Sequence, residues 1–310
     1  LTQSERGEEA WRGRAASVDA DDQAAFELGC ILAGDDDAPL AFAGTMAEPL
    51  SRQAGAEDVA AAAWLVDEPE TVSHIHELYR YAGADVALTA TAQATAPALG
   101  RAGVHVDVGT VVASALRCAR SGGPRFVMGE VGPCGIRERG AARAAYAELV
   151  GALAPGVHAI MVSSMASALD ARTALDACRE AAPDLPVCVS LTCDAEGCLG
   201  YGEPLAQTFS ALASAGADAV GVDGVPADVL ARLAPAVVDA AHEAHVRVVC
   251  RPSAGAVEGV EDGHPSWPLG DADVEACLRA LWDAGVRLLG TGDGVSYGAT
   301  CAVADVVAGL

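Results

Sequence analysis

The sequence predicts an α/β fold, an eight-stranded (β/α)8 TIM barrel carrying a short helical extension at its amino terminus. Three observations lead there. From Pro39 onward, short apolar runs alternate with longer helical patterns. The helix ends repeat one glycine device. The glycine-rich turn G-x-G-x-x-G that a doubly wound sheet places after its first strand is absent, because that turn reads Ala43-Gly44-Thr45-Met46-Ala47-Glu48.

The candidate strands are Leu40–Ala43, Asp85–Thr89, Arg125–Gly129, Ala159–Ser163, Pro186–Leu191, Ala219–Val222, Arg247–Cys250 and Arg287–Leu289. Each is short and nearly continuous in apolar residues, as strands buried on both faces of a parallel sheet require. Helical patterns lie between them, at Pro69–Ala82, Ala141–Leu153, Ser167–Ala182 and Ala227–Ala244. Pro69 suits a first helical position, where its missing N–H is not needed. In Tyr81-Ala82-Gly83-Ala84-Asp85, Ser214-Ala215-Gly216-Ala217-Asp218 and Trp282-Asp283-Ala284-Gly285-Val286, a glycine follows the last turn and can close the helix in the left-handed conformation. Residues 39–310 are assigned to the barrel and residues 1–38 to the helical extension, in which Asp22–Leu32 is amphipathic and ends at Gly34. The long segment Val257–Gly270 follows strand seven, on the face where barrels carry their sites, and is a candidate lid.

Composition narrows the function. The 310 residues carry a formal net charge of −24, and no lysine or asparagine occurs. Nucleic acid as a partner is excluded, since phosphate needs a basic face. No apolar run is long enough to span a membrane. Leu1–Ala24 has no apolar signal core, so a cytoplasmic protein with reduced thiols is expected. There is no C-x-x-C pair among the ten cysteines, and Cys30, Cys118, Cys178 and Cys277 fall on helical faces as small core residues.

Several blocks in order resemble the homocysteine S-methyltransferase family. Gly44, Met46 and Leu50 fit its first-strand pattern D-G-A-M-G-T-x-L. Pro69-Glu70-Thr71-Val72-Ser73-His74-Ile75-His76, running on to Ala82-Gly83-Ala84-Asp85-Val86, resembles its second block. Gly132-Pro133-Cys134-Gly135, Val189-Ser190-Leu191-Thr192-Cys193-Asp194 with Gly197, and Arg251-Pro252-Ser253-Ala254-Gly255 resemble its turns after strands three, five and seven. The resemblance implies methyl transfer to a thiol or related small nucleophile, as in methionine biosynthesis. It also implies a small-molecule ligand, and a corrinoid protein or other partner as methyl donor.

It further implies a zinc held by three cysteines, which deprotonates homocysteine's thiol. Those cysteines are missing. The strand-six turn reads Gly221-Val222-Asp223-Gly224, and the strand-eight turn reads Gly290-Thr291-Gly292-Asp293-Gly294. The family's first-strand Asp is replaced by Ala43, and the Glu of its fourth-strand E-T-M by Ser163; its T-N-T reads Thr89-Ala90-Thr91. No bound cofactor is therefore expected, and homocysteine is expected to bind weakly.

The candidate catalytic residues are Asp223 and Asp293. The candidate substrate-binding residues are Gly44, Met46, Thr89, Ser163, Ser164 and Gly292, all at the carboxy-terminal mouth. Their gain of carboxylates predicts a cationic or neutral ligand; the competing reading is that Asp223 and Asp293 cap the following helices. No metal site is assigned, with Cys134, Cys193 and Cys250 as fallback ligands and Glu130 at the end of strand three. His74 and His76, two apart on a helix, make a poor metal pair, while His158, His242 and His245 are expected to be solvated. Gly290–Gly294 has a further reading as a phosphate cradle. Three functions thus remain open: a zinc-free methyltransferase, a non-catalytic small-ligand-binding paralogue, and a phosphate-ligand barrel enzyme.

Overall fold

The structure, a computed structural model, describes residues 20–54, 60–261 and 264–309. Eight parallel strands form its central sheet: β1 (Leu40–Ala41), β2 (Val86–Leu88), β3 (Phe126–Val131), β4 (Ala159–Met165), β5 (Val187–Leu191), β6 (Ala219–Pro226), β7 (Arg247–Ser253) and β8 (Leu288–Leu289). The sheet runs β1-β8-β7-β6-β5-β4-β3-β2. A parallel bridge between Phe42 and Val86 joins its two edges, and the Asp85 N–H donates to the Ala41 carbonyl at 2.8 Å. This closes the barrel, so that among the described residues its sheet has no open edge.

Side chains alternate along each strand. Leu40, Phe42, Val86, Leu88, Phe126, Met128, Ala159, Met161, Cys188, Ala219, Val249 and Leu288 form one buried cluster, the barrel interior. The intervening residues, such as Val127, Ile160, Val187, Val220 and Cys250, belong to a second cluster shared with the helical shell. Helix α1 (Ala20–Ala33) adds Leu28, Ile31 and Leu32 to the interior cluster. Its Glu27 pairs with Arg125 at 2.6 Å, and Gly29 lies against Pro186, so α1 seals the amino-terminal end of the barrel. Residues 1–19 of the proposed extension lie outside the described residues.

The glycine device is present at all three places, with φ of 96° at Gly83, 99° at Gly216 and 109° at Gly285. Gly34 ends α1 at φ 83°. Helix starts use their own side chains: Ser167 accepts from the Asp170 N–H at 3.1 Å, ahead of Ala168–Ala181. Four strands run further than the sequence predicts: β3 to Val131, β4 to Met165, β6 to Pro226 and β7 to Ser253. Their polar continuation residues are strand residues rather than the start of loops. The segment after β7 forms an antiparallel hairpin, Gly259–Glu261 against His264–Ser266. It contacts the helix Ala47–Ala54 that follows β1, so it reaches across one side of the mouth. No helix among the described residues is long and apolar enough to cross a membrane.

Candidate functional site

The alternation that fills the barrel with apolar side chains continues one step higher with polar ones. Counting by twos, Phe126 and Met128 lead to Glu130, and Ala159 and Met161 lead to Ser163. Ala219 and Gly221 lead to Asp223, and Val249 leads to Arg251. These four residues meet. Arg251 Nη2 donates to Asp223 Oδ2 at 3.2 Å and lies 3.7 Å from Glu130 Oε1. The Arg251 and Asp223 side chains are 2% and 1% exposed, and Glu130 13%. A Cβ on Gly290 would lie 3.2 Å from Arg251 Cγ and 2.8 Å from Phe42 Cβ, so the glycine there makes room for the arginine.

Asp223 binds the end of β4 as well. It accepts from the Ser164 N–H at 3.0 and 3.1 Å and from the Ser164 hydroxyl at 3.1 Å. Ser164 holds φ 58° and Ala90, beyond β2, φ 59°, a region that costs a non-glycine residue about 1–3 kcal/mol. These two stand at the mouth, whereas the third such residue, His245 at φ 56°, follows a helix end ahead of β7. Glu130 accepts from the Ser163 hydroxyl at 3.0 Å. Its backbone is braced by Thr89, which accepts the Glu130 N–H at 2.9 Å, and by Thr91, which donates to the Glu130 carbonyl at 2.6 Å.

Burial raises the Glu130 carboxyl above its usual range, against the downward pull of Arg251 and Ser163. It raises Asp223 too, against Arg251 and its serine partners. Burial alone would lower Arg251, but Asp223, Glu130 and Asp293 together hold it above its ordinary value, so the guanidinium stays charged. Its Nε and Nη1 are nevertheless buried without a hydrogen-bond partner, as are Thr45 Oγ1 and Trp267 Nε1 on the adjoining loops. Each such group costs about 1–3 kcal/mol, more for a charged one, unless something satisfies it.

The predicted site residues fall into two sets. Ser163, Ser164 and Asp223 belong to the charged cluster. Asp223 caps no helix, because its oxygens are used by β4 and β7. Asp293 is exposed, and its charge is felt by Arg251 and Glu130. Gly44, Met46, Thr89 and Gly292 are buried. A Cβ on Gly44 would lie 2.6 Å from the Tyr79 hydroxyl and 2.8 Å from Thr291 Oγ1, so its missing side chain serves internal packing. Met46 joins the shell cluster. The Gly292 N–H donates to the Pro252 carbonyl at 2.8 Å, which removes one amide from the phosphate cradle.

Sequence reasoning gave Arg251 no role. Its signal was the two-residue step from Val249 within an unbroken strand pattern. Glu130 was noticed, but as a strand end rather than the carboxylate facing Ser163. That contact changes the reading of the lost family Glu: a carboxylate now reaches the same place from the neighbouring strand. Because Arg251 already matches one negative charge, the preference for a cationic ligand loses its simple basis.

The fallback metal ligands form no common three-ligand site among the described residues. Cys250 packs outward toward the helical shell beside Cys277, and burial pushes its thiol up. The Cys134 N–H donates to the Tyr146 hydroxyl at 3.0 Å. Cys193 is raised to about 11 by burial, then by Asp194 and Cys198. Among the described residues, no group of three His, Cys, Asp or Glu side chains could hold a metal ion. In the strand-six turn of the resemblance Gly224 has no side chain to offer and Asp223 is engaged by a guanidinium, so these residues do not fit a zinc site. His76 is buried with both nitrogens unpartnered and lowered to about 3 by burial, while His74 faces Glu77 at 3.7 Å. His158 is buried rather than solvated: its Nδ1 accepts the Val127 N–H at 3.1 Å. His242 and His245 are exposed.

Comparison with known proteins bears on both family and fold. A family model described as homocysteine S-methyltransferase matches residues 40–307. The metallated form of the homocysteine methyltransferase MmuM from Escherichia coli superposes with a TM-score of 0.70 at 21% identity, covering 90% of this chain and 99% of that one. Its oxidized form gives 0.70 at 21% identity, with 89% and 98% covered. The carboxyl transferase domain of Rhizobium etli pyruvate carboxylase with pyruvate is more distant, at TM-score 0.55 and 13% identity, covering 94% of this chain and 51% of that one. At these identities the superpositions speak for the fold alone. A search of curated proteins gives no match.

Proposed function

Because the chain belongs to the homocysteine S-methyltransferase family, we propose that it transfers a methyl group to a thiol or related small nucleophile at the mouth of its barrel, without the family's three-cysteine zinc. The observation that carries this reading is Glu130. Its carboxylate is partly open to the mouth, is held by Ser163 at 3.0 Å, and is raised above its usual range by burial. A carboxylate so placed is suited to act as a general base. The acceptor sulfur attacks the methyl carbon, the bond from that carbon to the donor breaks, and its electron pair leaves with the donor. The thiol proton passes to Glu130.

In this reading Ser164 and Asp293, both exposed, contact the ligand directly. Thr89 and Ser163 shape the floor beneath it, and Gly44, Met46 and Gly292 support that floor through packing. Asp223 acts as a positioning residue through Ser164 and Arg251. A buried charged cluster is weak as a source of stability, since apolar replacements of similar volume are often as stable, and this favours a functional reason for keeping it. The methyl donor is a small molecule or a corrinoid carried by a partner.

The test is a labelled-methyl assay with homocysteine and other small thiols as acceptors, given methylated sulfonium and methylated corrinoid donors in turn. Transfer is expected, with Glu130→Gln slowed by about 10²-fold or more. If folded protein labels no thiol with any donor, methyl transfer is wrong. The zinc-free binding paralogue then takes its place, a reading favoured by the full internal engagement of Asp223. The phosphate-ligand enzyme is less well supported, because Gly292 has given up its amide and Asp293 places a negative charge in that loop.

A further inference from the structure

β7 lies between β6 and β8 in the barrel. Asp223 lies within β6 and Asp293 in the loop that follows β8, and the strand between them sends Arg251 into the upper interior. There its guanidinium bonds Asp223 at 3.2 Å and lies 3.7 Å from Glu130. Asp293 acts on it from the loop above. Two buried carboxylates, Glu130 of β3 and Asp223 of β6, face this point, with the exposed Asp293 above; oxygen donors of that kind are what hard cations take. In this protein they gather around an arginine, which cannot leave and remains charged at any ordinary pH.

We infer that Arg251 is a built-in cation that takes the place of a metal ion in this mouth, making the site independent of bound divalent metal. This inference rests on the reading of the mouth as the ligand site. The guanidinium matches one of the negative charges that would attract a metal ion, lies within reach of both buried carboxylates, and repels a second cation. Its planar fork also differs from a metal ion in what it offers. Nε and Nη1 carry hydrogen-bond donors with no partner in the protein, although the side chain is only 2% exposed. Thr45 Oγ1 and Trp267 Nε1 are likewise buried and unpartnered on the neighbouring loops. Arginine and tryptophan nitrogens are donors only, so the ligand atom that reaches them is a hydrogen-bond acceptor.

The experiment measures metal binding rather than turnover. Purified chain is analysed for zinc, titrated calorimetrically with Zn²⁺ and Mn²⁺, and melted with and without EDTA. We expect no stoichiometric zinc, no saturable binding, and a melting temperature indifferent to EDTA and Mn²⁺. Arg251→Met, which leaves Asp223, Glu130 and Asp293 without their cation, should bind Mn²⁺ at least about tenfold more tightly than wild type and melt higher in its presence. Arg251→Gln is run in parallel, and both variants are refolded with Mn²⁺ as well as without it. Should neither variant fold, the wild-type titration and melts decide alone. A tightly held zinc in the wild type, whose removal lowers its melting temperature, overturns the inference. So do folded variants as indifferent to Mn²⁺ as the wild type. Failure here and failure of methyl transfer are separable: an inactive but metal-indifferent protein removes only the proposed function, and an active zinc-dependent one removes this inference and the zinc-free part of the proposal while leaving methyl transfer standing.

Discussion

Around Met128, Met161 and Val249 the barrel interior is wholly apolar; one alternation further along the same strands it holds Glu130, Ser163 and Arg251, joined there by Asp223. Both levels are buried, both are made by residues two apart, and both are supported by the same backbone ladder. They differ in what burial costs. The lower level, sealed by Leu28, Ile31 and Leu32 of α1, gains from leaving water without needing partners. The upper level must find a partner for every charge, and its geometry is correspondingly specific. Barrels of this kind therefore carry one half as scaffold and the other as site, and the transition falls within strands rather than at their ends.

That contrast can be broken most strongly at Asp223. Asp223→Ala leaves the buried guanidinium of Arg251 without its main partner and should cost about 3–5 kcal/mol in chemical denaturation. Replacing the cluster as a set, with Glu130→Gln, Asp223→Leu and Arg251→Met together, should cost less than Asp223→Ala alone, because no unpaired charge remains. If the set proves worse than the single change, specific bonding outweighs desolvation here.

In the lower level the expected loss comes from volume alone. Met161→Ala should destabilise by about 2–5 kcal/mol, a loss that stays constant across the pH range in which the protein folds. A marked pH dependence would mean that the two levels are coupled rather than layered.

The smallest effect is the titration of Glu130. Its folded carboxyl is raised by burial, so the folded state holds that proton more tightly than the unfolded chain does. Its contribution to stability is then fully present below the ordinary carboxylate range and is lost as pH rises through the raised value. Glu130→Gln should flatten this part of the stability–pH curve. A curve identical to that of wild type would show that Arg251 and Ser163 compensate fully for the burial.

Local rules in the sequence determined the barrel. Apolar runs of strand length, glycines that close helices at Gly83, Gly216 and Gly285, and the missing nucleotide-binding turn are each properties of a few adjacent residues, and each was legible without a partner. The absence of cysteines at Asp223-Gly224 and Gly292-Asp293 was equally plain. Strand ends were read too early because a polar residue in a linear pattern looks like the beginning of a loop. Only the closed barrel shows that Glu130, Asp223 and Arg251 continue their strands and point inward. Their contacts join positions 130, 163, 223 and 251, far apart along the chain. Pairing of that kind has no local signature: a carboxylate on β3 standing beside the serine of β4, and an arginine between two acidic strands, are consequences of register and closure. Tertiary structure decided them because charges can be buried at the mouth only where several strands deliver their partners together.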